Sequence, residues 1–137
     1  MRILKTIGIS ALFVLFLGIG FSYGQEELYF ELNDKYNTLY DQGRYSEAVK
    51  VAEEELKVAE NTFGKDDPAV AYANYALGFA YNAQGRYAEA EPLYKQALGI
   101  LEKVFGKDHP RVATVCENMA EFYKNVGKKD KAAVLEE

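Results

Sequence analysis

The chain of 137 residues contains one cysteine, one histidine, three prolines and no tryptophan. A single thiol, Cys116, excludes an internal disulfide and a cysteine-based metal site, and we expect it to be a small buried residue within a helix. His109 stands before a proline, where it is expected to begin a helix. No nucleophile–base pair, glycine-rich phosphate loop or metal-ligand spacing occurs. The sequence therefore predicts that the protein is not an enzyme and that it binds neither a cofactor nor a metal ion.

Positive charge is also scarce, since 16 basic residues stand against 21 acidic ones and give a net charge of −5. An acidic chain without a basic stretch is a poor counterion for a phosphate backbone or for anionic lipid heads. Nucleic acid is therefore not expected as a partner, and a membrane is expected only through the N-terminal segment. The acidic run at residues 53–55 falls within an expected helix, where it predicts a solvated surface.

The N-terminus differs in composition from the rest. Arg2 and Lys5 precede an almost wholly apolar run at residues 7–21, and small residues follow it, as in a secretory signal peptide. The run is shorter than the roughly 20 apolar residues that span a bilayer. We predict that residues 1–24 are a cleaved signal peptide and that the protein is exported, periplasmic or secreted. An uncleaved membrane anchor at residues 7–23 is the alternative.

Two short motifs recur with one spacing of 42 residues. Gln-Gly-Arg-Tyr-Ser-Glu-Ala at residues 42–48 returns as Gln-Gly-Arg-Tyr-Ala-Glu-Ala at residues 84–90. Phe-Gly-Lys-Asp-Asp-Pro at residues 63–68 returns as Phe-Gly-Lys-Asp-His-Pro at residues 105–110. Two motifs that share a period indicate an internal repeat. The domain is expected at residues 25–137, with repeats at about 28–67, 68–109 and 110–137.

Each repeat is expected to contain two helices. Pro68 and Pro110 suit the first turn of a helix, because proline lacks an N–H that would be unpaired there anyway. Gly85 and Gly127 suit the left-handed turn that ends a helix. Gly78 lies in mid-helix, where glycine costs about 1 kcal/mol against alanine, and is expected where a neighbouring helix approaches closely. Because no segment alternates with period two, the sequence predicts an all-α chain in which helix pairs stack.

These residues resemble the tetratricopeptide repeat family. The match to its helix–turn–helix pattern consists of Leu77, Gly78, Tyr81, Gly85, Tyr87, Ala90, Tyr94 and Ala97. The 42-residue period and the segments at residues 84–98 and 105–110 are similar to the kinesin-light-chain-like subclass of bacterial type. The resemblance covers residues 32–135 and implies a right-handed α-solenoid of antiparallel helix pairs, with about 2.5–3 repeats.

The two end repeats depart from this pattern. When Tyr40 is aligned with Tyr81, the segment before Gly43 is one residue shorter than the segment before Gly85. The last helix, after Gly127, is expected to have only about nine residues. A stack of about three repeats is near the usual minimum for stability, so we expect dimerisation or partner binding to complete it.

Members of the family generally hold a peptide or helix of a partner on the concave surface, which the first helix of each repeat lines. The resemblance places fifteen residues there: Glu31, Asp34, Thr38, Asp41 and Gln42; Tyr72, Tyr75, Phe79, Asn82 and Ala83; Thr114, Glu117, Glu121, Lys124 and Asn125. We expect an aromatic groove with acids on either side, suited to a basic, apolar or aromatic segment of another protein. The alternatives are that the aromatic residues pack within the chain, and that the protein is a self-assembling module, a homo-oligomer or an accessory subunit.

Overall fold

The computed structural model describes residues 23–136, and all regular structure in that range is helical. The helices are α1 (residues 23–41), α2 (Tyr45–Phe63), α3 (Pro68–Ala83), α4 (Tyr87–Phe105), α5 (Pro110–Asn125) and α6 (Lys129–Glu136). The prediction of an all-α repeat fold is confirmed. Apart from residues 23 and 24, the predicted signal peptide lies outside the described residues. Within them, no helix combines the length and the apolar character that crossing a membrane requires.

A capping residue precedes each of the two prolines, and His109 begins a helix as predicted. The Asp67 carboxylate accepts the backbone N–H of Ala69 at 2.8 Å, and Nδ1 of His109 accepts that of Arg111 at 3.2 Å. Each bond satisfies one of the N–H groups that the first turn of a helix leaves without a partner. The chain therefore enters α3 and α5 in the same way.

The turns that end α1, α3 and α5 share one geometry. Each contains a glycine in the left-handed region: Gly43 (φ 71°), Gly85 (φ 74°) and Gly127 (φ 79°). In each, the N–H after the glycine donates to the carbonyl five residues earlier: Arg44 to Leu39, Arg86 to Tyr81 and Lys128 to Tyr123. The segment that ends the first helix of the first repeat therefore has the same length as its equivalents in the other two repeats. The predicted shortening by one residue is wrong, because Leu39 rather than Tyr40 is equivalent to Tyr81.

The core lies between successive helices and is built largely from alanine and valine. Fully buried alanines occur on α2, α3 and α4, where small side chains let helix backbones approach. Two tyrosine hydroxyls join α1 to α3. Tyr29 donates to the Ala69 carbonyl at 3.4 Å, and Tyr36 donates to the Ala76 carbonyl at 2.7 Å. These bonds hold the first helices of the first and second repeats side by side.

Gly78 lies where α4 packs closely against α3. A Cβ atom at this position would lie 2.9 Å from Cε1 of Tyr94 and 3.4 Å from the carbonyl oxygen of Ala90. Tyr94 is only 2% exposed, so its ring has little room to move. The glycine is present because the tyrosine ring occupies the space of its side chain.

We predict opposite effects for two glycine substitutions. Gly78→Ala is expected to destabilise the protein by about 1–3 kcal/mol, because overpacking at Tyr94 outweighs the better helix propensity of alanine. Gly99→Ala is expected to stabilise it by about 0.5–1 kcal/mol, because nothing lies within 4 Å of the added methyl group. Urea unfolding followed by circular dichroism measures both. Equal shifts of the two variants would contradict the proposed contact.

A carboxylate on α4 holds the last helix. Glu91 accepts hydrogen bonds from Lys128 at 2.7 Å, from Lys131 at 2.8 Å and from the Tyr123 hydroxyl at 3.1 Å, and it pairs with Lys95 at 3.2 Å. The hydrogen bonds from Lys128 and Lys131 hold the pKa of Glu91 well below its ordinary value. Glu91 thus connects α6 to α4 across α5.

We predict that Glu91→Gln loosens α6. The loss is expected to be about 0.5–1 kcal/mol, because exposed lysine pairs contribute little individually. A lowered pKa means that the stabilisation is present above the ordinary glutamate pKa of about 4.3 and is lost as the pH falls below it. Hydrogen exchange in α6 at pH 7 and pH 3 measures the effect. Glu89→Gln, which removes an exposed pair with Arg86, is the control and should leave α6 exchange unchanged.

Candidate functional site

An open cavity of about 490 Å³ lies between α1 and α3. Its lining consists of seven aromatic residues, two asparagines and one alanine: Tyr29, Phe30, Asn33, Tyr36, Asn37, Tyr40, Tyr72, Tyr75, Ala76 and Phe79. None of these lining residues carries a charge. The cavity lies where the family pattern places the concave surface, between the first helices of two repeats.

Three residues predicted for the groove in the second repeat line this cavity, namely Tyr72, Tyr75 and Phe79. The ring centroids of Tyr75 and Phe79 are 5.4 Å apart, and Phe79 is 5.7 Å from Tyr40 of α1. All three predicted residues remain half-buried. Asn82 is not part of the lining, and its side chain lies beside the hydroxyl of Tyr94.

The first repeat contributes different residues from those predicted. Asp34 and Asp41 do not line the cavity, and Glu31 and Thr38 are exposed elsewhere on α1. Besides Tyr29 and Tyr36, the residues of α1 that line the cavity are Phe30, Asn33, Asn37 and Tyr40, which lie 42 residues before Tyr72, Tyr75, Phe79 and Asn82. One residue turns an α-helix by about 100°. The supposed shortening therefore moved each expected position to a neighbouring face.

A constant spacing would have found these residues. Gly43 and Gly85 lie in the repeated motif at 42 residues, whereas aligning Tyr40 with Tyr81 broke that spacing by one. Equivalent glycines fix the register because each must occupy the left-handed turn. A tyrosine carries no such backbone constraint, so aligning Tyr40 with Tyr81 is a weaker basis for the register of the repeats.

The predicted residues of the third repeat lie apart from the cavity. Glu117, Glu121 and Lys124 are exposed and line a separate cleft of about 580 Å³ between α5 and α6. The Lys124 ammonium group bonds to the Glu136 carboxylate. Cys116, expected to be buried, is half-buried in the same cleft. Acids therefore flank the aromatic residues on the α5 side, whereas α1 supplies aromatic and amide groups.

Glu55 is the residue near the cavity that the sequence did not reveal. It belongs to the acidic run expected to be solvated, yet it is fully buried on α2. Its Oε1 accepts Nδ2 of Asn33 at 2.9 Å, and Oδ1 of Asn33 accepts Nδ2 of Asn37 at 3.3 Å. Its Oε2 has no hydrogen-bond partner among the described residues. Glu55 lies 42 residues before Ala97, a buried alanine, so a carboxylate occupies a position where the next repeat has a methyl group.

Burial raises the pKa values of titratable side chains in and behind the cavity wall. It raises the pKa of Tyr29 and of Tyr75 to about 12, and the carboxylates of Glu55 and Glu121 add to the effect at Tyr29 and Tyr75 respectively. Burial also raises the pKa of Tyr36 and of Glu55 itself. The tyrosines therefore stay neutral at physiological pH, and the wall offers rings, hydroxyls and amides.

We predict that Glu55 makes stability fall with rising pH. Its pKa is higher in the folded protein than in the unfolded chain, so the folded state binds the extra proton and loses stability as that proton leaves. The loss is about 1.4 kcal/mol for each unit by which folding raises the pKa. Glu55→Gln is expected to remove this pH dependence, measured by urea unfolding between pH 4 and pH 9. An unchanged profile would show that Glu55 does not cause it, and Glu54→Gln, on the exposed surface, is the control.

Comparison with known proteins gives one family model and several solved structures. The model, described as tetratricopeptide repeat, matches residues 37–103 and 70–137. No match was found among curated proteins.

The structural neighbours are proteins with similar helical repeats. A putative kinesin light chain from Podosopora anserina, with nearly identical TPR-like repeats, is 24% identical with a TM-score of 0.69 over 77% of this chain and 50% of that one. BtubC (BKLC) from P. vanneervenii is 22% identical with a TM-score of 0.71 over 95% of this chain and 59% of that one. The chain thus spans between half and three-fifths of each neighbour, and the likeness is one of fold.

Proposed function

The chain belongs to the tetratricopeptide repeat family, and we propose that it is an exported adaptor that binds a segment of another protein in the cavity between α1 and α3. Repeats of this family generally mediate protein–protein interaction and form a non-catalytic scaffold. The export rests on the composition of residues 1–24. The partner segment is an extended peptide or a helix.

The observation that carries the proposal is an open cavity with an aromatic wall. Phe30, on its rim, is 63% exposed, although burial of such a ring is worth about 1.5–3 kcal/mol. Tyrosine and phenylalanine anchor interfaces well because they bury a large area and lose few rotamers. A partner side chain in this cavity would cover the exposed ring and contact several others together.

Packing within the chain accounts for part of the aromatic cluster. Tyr94 is buried, and its ring centroid lies 5.6 Å from that of Tyr75 and 6.5 Å from that of Phe79. These contacts support the alternative in which the rings serve the core. Tyr72 and Phe30 have outer surfaces that no described residue covers fully, so the binding proposal depends chiefly on them.

Stacking of further copies onto α1 is less well supported. The outer positions Glu31, Lys35 and Thr38 are polar and exposed. Their equivalents 84 residues later on α5, where the preceding repeat packs, are Val115, Met119 and Phe122, which are buried. A polar edge does not offer the apolar surface that joins successive repeats. The adaptor is therefore preferred to the self-assembling module.

Stacking of further copies onto α6, at the C-terminal end of the repeats, is also less well supported. On α6, Lys129 and Glu136 occupy the positions that Tyr87 and Tyr94 occupy on α4. Tyr87 and Tyr94 both contact Phe122 of the next helix, with centroids 6.0 and 5.2 Å away. The charged residues of α6 cannot repeat these ring contacts, which again favours an adaptor.

We predict that cavity variants lose peptide binding while the fold is retained. Peptides selected from a random display library on the purified protein are titrated by fluorescence anisotropy. Phe30→Ala and Tyr72→Ala are expected to weaken binding at least tenfold, since aromatic anchors commonly contribute about 2 kcal/mol or more. Tyr87→Ala, which removes a ring that is 44% exposed outside the cavity, is the matched control and should bind as the parent does.

Circular dichroism confirms that each variant is folded before its affinity is compared. Selected peptides that bind both cavity variants as tightly as the parent would show that the cavity is not the binding site. A library that yields no binder to the parent protein would contradict the adaptor proposal itself.

A further inference from the structure

The cavity is uncharged, but carboxylates surround it. Burial is the main cause of the raised pKa values of its tyrosines, and nearby acids add to the rise: Glu55 and Asp67 at Tyr29, Asp41 at Tyr40, and Glu121 at Tyr75. Acids thus act on the wall from α1, α2, α5 and the turn before α3. Low-dielectric walls that surround a cleft with one sign of charge focus the potential inside it.

Glu55 is hydrogen-bonded to a residue of the cavity lining. It lies behind Asn33, whose amide it holds at 2.9 Å, and its charge also acts on Tyr29 and Tyr36. Asn33, Tyr29 and Tyr36 line the cavity. A buried carboxylate with one oxygen lacking a donor is costly unless a positive group compensates it. Within the described part of the chain, no ion pair is formed by Glu55.

The rings of the wall are suited to the same kind of group. A guanidinium or ammonium group near the face of a tyrosine or phenylalanine is attracted by the ring quadrupole, by about 0.5–2 kcal/mol. Among the described residues, one cation approaches a lining ring: Arg111 lies 6.0 Å from the centroid of Tyr72, while it lies nearer to Phe105 at 5.2 Å. No basic residue lines the cavity.

We propose that the cavity receives an arginine or lysine side chain of the partner segment, held between the aromatic rings above Asn33 and Glu55. This inference rests on the proposed peptide-binding function and adds to it the chemistry of the anchor. The Asn33 amide acts as a positioning group, since its Nδ2 faces Glu55 and its Oδ1 faces Asn37. The cation supplies the positive partner that the described residues do not give to the buried Glu55 carboxylate.

A pH dependence follows from this arrangement. Burial raises the pKa of Glu55, and a cation in the cavity favours its ionised form. Affinity for the cation is therefore expected to increase as the pH rises through the titration of Glu55. Asp67, Asp41 and Glu121 also carry charge close to the wall, at Tyr29, Tyr40 and Tyr75 respectively.

The test uses a matched pair of short peptides as probes. Acetyl-Ala-Arg-Ala-amide carries the cation, and the same peptide with citrulline in place of arginine keeps the shape without the charge. Titrations follow tyrosine ring signals by NMR at pH 7.5. We expect the arginine peptide to bind at least fivefold more tightly than the citrulline peptide. Glu55→Gln is expected to abolish this preference, while Glu54→Gln, the same charge change on the exposed side of α2, retains it.

The outcomes separate this inference from the adaptor proposal. If display-selected peptides bind the cavity but arginine and citrulline peptides bind equally, the cationic anchor is wrong and the adaptor stands. A preference for arginine that Glu55→Gln leaves intact would assign it to other acids and overturn the role of Glu55. If choline binds as tightly as the arginine peptide, the cavity is a small-cation site, and the peptide anchor is wrong. A fall in affinity for arginine from pH 7.5 to pH 5, seen in the parent and absent in Glu55→Gln, supports the inference.

Discussion

The left-handed glycine turn between the helices of each repeat determines the rest of the structure. Its hydrogen bond from the residue after glycine to the carbonyl five residues earlier recurs every 42 residues. This bond fixes the rotation of each first helix about its axis, because a slip of one residue turns the helix by about 100°. The same faces therefore meet in each repeat, and the residues on one face of α1 and α3 enclose the cavity.

The fold was predictable because its signals are local. Proline at the start of a helix, glycine at its end and a constant period each act within a few residues, and Pro68, Pro110 and Gly85 lie as predicted. The aromatic side of the cavity followed from the resemblance to the tetratricopeptide pattern, which places Tyr72, Tyr75 and Phe79 on the concave surface. The α1 side did not, because an alignment on tyrosine overrode the spacing of the glycines.

The sequence analysis missed the burial of Glu55, although the 42-residue period places it at the position of Ala97 in the family pattern. Its neighbours Glu53 and Glu54 are exposed, and a run of three acids on a helix ordinarily lies in water. In the structure the third acid is enclosed, and Asn33 of α1 is its hydrogen-bond partner. A polar residue in a position where the next repeat has Ala97 breaks the local packing rule, and such departures concentrate at functional or strained sites. Burial of the Glu55 carboxylate, with no described donor for its Oε2, costs free energy. This cost supports a role for Glu55 beyond packing.

The repeats share a backbone but differ in the chemistry of equivalent positions. Tyr75 and Phe79 of the second repeat correspond to Glu117 and Glu121 of the third and to Asn33 and Asn37 of the first. The concave side therefore changes along the stack from amides through rings to carboxylates. A segment bound there, as proposed, would meet a different group at each step, so one orientation of the segment would be favoured over the reverse. With the proposed basic anchor in the cavity, further positive charge on the segment would be best placed toward α5, where Glu121 already acts on the ring of Tyr75.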